Sequence, residues 1–136
     1  MDEPEPIPPE PRPAAELAIR LGGGLVVVWA ATLLAVVEAF LVPVRFAHSY
    51  TPIAAVLAVT GNVALPLLMR YLTRSNGAAL LPCLAWFVVV IIGSTATGEG
   101  DLVIIGDWPG LALLVAGAGT VAVMGYLLLA GSLSRR

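Results

Sequence analysis

The chain has 136 residues, seven basic and nine acidic, for a formal net charge of −2. Its 59% hydrophobic content and mean hydropathy of +0.95 lie far outside the composition of water-soluble domains. Lysine is absent and the arginines are scattered, so no basic patch suits nucleic acid; a single cysteine, Cys83, excludes an internal disulfide, and with one histidine the usual metal-ligand clusters cannot form.

Residues 1–13 hold six prolines and four acids. Such a segment cannot form a core and is expected to be a disordered, acidic, proline-rich tail. Pro8-x-x-Pro11-Arg12 fits a loose proline-recognition pattern, although such patterns arise by chance in any proline-rich stretch. Four apolar blocks follow, at 21–42, 52–69, 77–97 and 108–131. As helices they would be roughly 27–36 Å long, which matches a hydrocarbon core of about 30 Å. Membrane strands would alternate in polarity, and these blocks do not. The expected fold is therefore an all-α membrane protein: one domain over 14–133, a four-helix transmembrane bundle with helices at about 15–43, 52–73, 77–97 and 108–131.

The first helix should begin beside Pro13, a residue suited to a first turn, with Glu16 complementing the positive end of the helix dipole. Its apolar run is too long, and its flank too acidic, for a cleavable signal peptide. Gly22-Gly23-Gly24 is tolerated in a membrane helix, where it allows close backbone approach. Pro43 should end or kink the helix. Thr51-Pro52 reads as the next start, with Thr as cap and Pro at the first position. Pro66 should kink the second helix. Ser75-Asn76-Gly77 forms a tight turn, so the second and third helices should be antiparallel neighbours. The third helix closes with Ser94, Thr95 and Thr97. An acidic loop containing Glu99, Asp101 and Asp107 leads to Trp108-Pro109, where Trp fits an interfacial belt and Pro a first turn.

Six of the seven arginines fall on one side of this arrangement. Arg12 and Arg20 precede the first block, Arg70 and Arg74 lie between the second and third, and Arg135 and Arg136 close the sequence; Arg45 alone is opposite. Cytoplasmic loops retain positive charge during insertion, so both termini are expected to be cytoplasmic, in a bacterial inner membrane.

Glu38 is the only charge within the four blocks, and an intramembrane carboxylate is by default a functional hypothesis. It stands about four residues, or roughly 6 Å, from the outer end of its block. The small ridge Ala31-Ala35-Ala39 passes beside it, which turns Glu38 toward the bundle. Arg45, seven residues on, would share its face and reach back to it unless Pro43 turns the chain away. Glu38 reads either as a proton- or cation-binding group or as a structural residue paired with Arg45 or a polar neighbour. Asn62 closes the ridge Ala54-Ala58-Asn62 near the midplane, beside Gly61 and one turn before Pro66. An interhelical hydrogen bond is its ordinary role, while broken helices near the midplane are also where transporters place their sites. Ala112, Ala116 and Thr120, with Gly117 and Gly119 nearby, form a small-residue packing face on the fourth helix. Cys83 reads as a small apolar filler. Three carboxylates in the acidic loop have no recognised calcium spacing, and no nucleophile–base pair or phosphate loop is present.

The run from Gly61 to Leu68, then Arg70 and Arg74, Leu81-Pro82 with Trp86, and Gly98-Glu99-Gly100-Asp101, resembles an uncharacterised family of small actinobacterial four-span integral membrane proteins. The resemblance covers roughly residues 20–130 and implies a bacterial inner-membrane setting without an activity. Four helices with a glutamate in the first also invite comparison with small multidrug-resistance transporters, but that family's other signature residues are absent here.

The expected function is non-enzymatic and cofactor-free: an accessory or scaffold subunit in the lipid bilayer, associating with itself or with a membrane complex. The alternative is a small oligomeric proton-coupled transporter or channel using Glu38 and Asn62.

Overall fold

A computed structural model describes residues 13–43, 45–46, 49–50, 52–95 and 107–133, with the side chains of 45–46, 49–50 and 132–133 left aside. The first twelve residues, Thr51, Thr97, Glu99, Asp101, Arg135 and Arg136 lie outside this set, as do the expectations placed on them. The described residues form helices α1 (Pro13–Leu41), α2 (Ile53–Thr73), α3 (Leu81–Gly93) and α4 (Trp108–Leu133). A two-stranded antiparallel hairpin, β1 (Arg45–Phe46) and β2 (Ser49–Tyr50), follows α1, with Arg45 opposite Tyr50. The fold is all-α in its architecture.

α1 packs along both α2 and α3, α2 packs along α4, and α3 meets α4 over a narrow seam, so α1 and α4 occupy opposite corners. The interior is built from small residues. Ala31, Ala35, Ala39, Ala54, Ala58 and Ala79 are all buried, joined by Val42, Trp86, Val90 and Leu113. The large apolar residues point outward: Leu25, Trp29, Leu33 and Phe40 on α1, Val56 on α2, Leu84, Ile91 and Ile92 on α3, Val115 and Leu127 on α4. Water would penalise that inversion heavily, because contiguous apolar surface is what folding in water removes. Hydrocarbon gives no such penalty and leaves close van der Waals approach between small residues to hold helices together. Three helices, Pro13–Leu41, Ile53–Thr73 and Trp108–Gly131, are long and apolar enough to cross a membrane.

The fourth apolar helix, Ala78–Gly93, is shorter than its block. It enters through a 3₁₀ turn at Ala78–Leu80 and ends where Ser94 N–H returns to Val90 O at 2.9 Å and Thr95 Oγ1 to Ile92 O at 2.7 Å. The Ser94 N–H and the Thr95 hydroxyl satisfy the last carbonyls, and α3 ends at Gly93.

Local signals explain most other boundaries. Ser75 caps the turn into α3, its Oγ accepting from Ala78 N–H at 3.2 Å. Arg74 ends α2 in the left-handed conformation (φ 53°), donating its N–H to Arg70 O at 2.8 Å. Asp107 caps α4: its carbonyl accepts from Leu111 N–H at 2.9 Å and its Oδ1 from Gly110 N–H at 3.4 Å. Pro52 takes the N-cap position of α2, with no side-chain cap bond, rather than the first helical position.

The glycine triplet works on one side only. A Cβ on Gly23 would touch Leu72 at 3.3 Å and one on Gly24 would meet Met69 at 3.2 Å, whereas Gly22 faces open space. α1 and α2 therefore close on each other at Gly23 and Gly24.

Candidate functional site

Glu38 is fully buried, with 0% relative exposure. The ridge Ala31-Ala35-Ala39 is buried beside it, as the spacing requires. Its carboxylate Oε2 accepts a hydrogen bond from the indole N–H of Trp86 on α3 at 2.7 Å. This is a short, charge-assisted geometry when the carboxyl is ionised.

The other two helices complete the site through glycines. A Cβ on Gly61 of α2 would stand 3.6 Å from Glu38 Oε1 and 2.4 Å from Leu34 Cδ2, so α1 and α2 approach closely here and a side chain would displace the end of Leu34. A Cβ on Gly117 of α4 would fall 2.2 Å from Trp86 Cζ2 and 2.4 Å from Cη2. The indole therefore lies directly against the α4 backbone. One acid, one indole and two glycines thus tie all four helices at a single level.

That level is deeper than the position of Glu38 in its own helix indicates. α1 ends only three residues later, at Leu41. Yet Gly61 lies about eight residues, or roughly 12 Å, into α2, Gly117 about nine residues into α4, and Trp86 about seven residues before the end of α3. α1 stops early, and the hairpin strands precede the start of α2. A site expected about 6 Å below one edge is level with the middle of the neighbouring helices.

The partner of Glu38 is also different from the expected one. Because α1 ends at Leu41 and Arg45 begins β1, the seven-residue helical spacing that would align Arg45 with Glu38 is not kept. The donor is Trp86. In the sequence Trp86 and Trp29 look alike, both mid-span; the fold buries Trp86 to 2% exposure and leaves Trp29 at 60%.

Asn62 is buried at 5% exposure, in line with Ala54 and Ala58. Its Nδ2 and the Oε1 of Glu38 are the two buried side-chain polar atoms without a hydrogen-bond partner among the described residues. Leaving such groups unpaired costs about 1–3 kcal/mol each. Pro66, itself buried, has no N–H to give the carbonyl of Asn62 four residues earlier, so the polar character of this stretch extends to the backbone.

The face proposed on α4 is only partly a packing face. Pro109, Gly110, Leu113, Gly117, Met124 and Leu128 are the buried positions, while Ala112, Ala116 and Thr120 are half-buried along their edge. Ala116 joins Pro52, Ala55, Val56, Val59 and Thr60 in a shallow apolar groove of about 350 Å³ between α2 and α4. The hydroxyls of Thr60 and Thr120 are satisfied within their own helices, by Val56 O at 2.9 Å and Ala116 O at 2.7 Å. The groove consequently presents methyl and methylene groups with no unmet polar demand.

Cys83 is buried at 3% exposure and unpaired to any other cysteine. No group of three or more metal-ligating side chains occurs among the described residues. Comparison of the chain with protein-family models, curated proteins and solved structures finds no match, so the resemblance to small actinobacterial membrane proteins rests on the motifs around Gly61, Trp86 and Gly98 alone.

Proposed function

We propose that this protein is a small, non-catalytic membrane protein that serves as an accessory or scaffold subunit, its four helices crossing a bacterial inner membrane with both ends cytoplasmic. The observation that carries this reading is the setting of Glu38. Its acid joins Trp86, Trp86 rests on Gly117, and Gly61 admits α1, which is how a polar contact is used to register helices in hydrocarbon. The half-buried Ala112, Ala116 and Thr120 beside the α2–α4 groove supply a surface on which a further helix, from a second copy or a membrane partner, can approach closely. Mild detergent extraction followed by cross-linking tests it. A defined partner or dimer should be captured, Ala116→Leu should abolish the capture, and Glu38→Gln, which can still accept from Trp86, should leave it intact. A species that remains monomeric and alone at every detergent strength contradicts the reading.

A second reading follows from Glu38 Oε1 and Asn62 Nδ2 on neighbouring helices, which have no hydrogen-bond partner among the described residues. A carboxyl that gives one oxygen to Trp86 and keeps the other free can take up and release a proton, as in an oligomeric proton-coupled transporter or channel. In liposomes, Glu38→Gln would then abolish pH-driven flux; unchanged flux removes Glu38 from any such role.

A further inference from the structure

We propose that the cleft between the start of α1 and the end of α2 binds the phosphate headgroup of an anionic phospholipid. The proposal rests on the bilayer setting of the helices and on neither the subunit nor the transport reading.

The cleft has a volume of about 1100 Å³ and opens where the two helices part beyond Gly23. Residues 13–19 of α1 are exposed, because this end of the long helix outruns its packing against α2. Three arginines line the opening: Arg20 from α1, and Arg70 and Arg74 from the last turn and cap of α2, with Asn76 and Tyr71 beside them. Among the described residues, one of these cations is neutralised. Arg20 Nη2 bonds Glu16 Oε1 at 2.5 Å, and among the described residues this is the sole ion pair. Among the described residues, Arg70 and Arg74 therefore face the cleft without an acidic partner, and those lining the opening carry a surplus of two positive charges.

Guanidinium forks match phosphate oxygens in shape and donor spacing. The surroundings select a lipid as the source of that phosphate. Ile19 and Leu67, on the same walls, are 71% and 47% exposed. They offer acyl chains an apolar surface directly adjoining the arginines. Tyr71 is 81% exposed, a residue type that settles at the headgroup level. A basic pocket between helices at the membrane surface is a setting in which anionic headgroups are held.

The test uses the full chain in nanodiscs of phosphatidylcholine with a minority of phosphatidylglycerol, the retained lipid being identified by native mass spectrometry. Phosphatidylglycerol should be enriched on the wild-type chain, and Arg70→Gln and Arg74→Gln should each lower the enrichment about five-fold, the equivalent of roughly 1 kcal/mol per surface cation. Arg135→Gln/Arg136→Gln removes two charges that are not among the residues lining the cleft and should leave it unchanged. Glu16→Gln, which frees Arg20, should raise it. Enrichment that survives both α2 substitutions, or that falls equally in the Arg135/Arg136 variant, overturns the proposal. Displacement of the lipid by soluble glycerol phosphate would also overturn it, in favour of a water-soluble phosphate ligand. Incorporation into the disc and helicity by circular dichroism report separately on the bilayer setting, so a failure there is distinct from an empty cleft. Arg74 is an exposed cap, and Arg74→Gln alone carries the test should the Arg70 variant not fold.

Discussion

Gly117→Ala probes the contact on which the site depends. The added methyl would sit 2.2 Å from Cζ2 and 2.4 Å from Cη2 of Trp86, where ordinary carbon contacts are about 3.5–4.0 Å. Something must move by more than about 1 Å. The indole cannot swing away cheaply, because its N–H is held by Glu38 Oε2 at 2.7 Å. Retaining that bond forces α4 outward and over-packs the seam, at about 1–3 kcal/mol. Losing it adds the cost of an unpaired buried acceptor, about 1–3 kcal/mol more. Gly119→Ala is the matched control on the same helix, since its Cβ meets nothing within 4 Å; it should be neutral or slightly stabilising, because Ala favours helix over Gly. The assay is thermal unfolding in detergent, followed by Trp86 fluorescence with the exposed Trp29 and Trp108 changed to Phe. Gly117→Ala should lower the midpoint clearly and shift the Trp86 emission. In a cycle with Trp86→Phe, which removes the clashing ring, the two losses should be strongly non-additive. Equal midpoints and emission for Gly117→Ala and Gly119→Ala would refute the reasoning.

Other substitutions test the local claims. Trp86→Phe leaves Glu38 without a donor and should cost about 1–3 kcal/mol, with part of the loss recovered in the Glu38→Leu/Trp86→Phe double variant, which removes both polar groups together; additive losses in detergent unfolding would show that the pair is not coupled. Gly61→Ala should destabilise less than Gly117→Ala, because the clash is with the flexible end of Leu34, and Leu34→Ala should relieve it. Arg74→Gly relaxes a left-handed cap and should stabilise α2 by about 1 kcal/mol, read as a higher unfolding midpoint. Asp107→Ala should remove about 0.5–2 kcal/mol of capping from α4, while Asp107→Asn keeps most of it; faster hydrogen exchange at Gly110 and Leu111 would register the fraying.

Periodicity exposed the faces and missed the partners. The alanine ridges on α1 and α2 oriented Glu38 and Asn62 correctly, because small residues at helical spacing mark where backbones approach. Nothing local to Trp86 separates it from Trp29; the difference arises from Gly117, thirty-one residues later, and only tertiary packing relates the two. Position within one apolar block measures distance to that helix's end; it does not reveal that Glu38, three residues before the end of α1, is level with residues well inside α2, α3 and α4. Arg45 was expected to share the face of Glu38 only if Pro43 did not turn the chain away; α1 ends at Leu41 and Arg45 begins a hairpin strand. Asp107 read as one acid among three in a loop, although Asp followed by Trp-Pro is itself a helix-start signal.

Four crossings around Glu38 require the short helix Ala78–Gly93, about 24 Å at 1.5 Å per residue, to span the membrane. Single cysteines at Asn76 and Thr95, in a Cys83→Ala background, bracket that helix in intact cells. A membrane-impermeant thiol reagent should label Thr95→Cys from outside and reach Asn76→Cys only after the membrane is opened. Labelling of both positions from the same side would mean that this helix does not cross, and that Glu38 and Trp86 do not meet inside a four-span bundle.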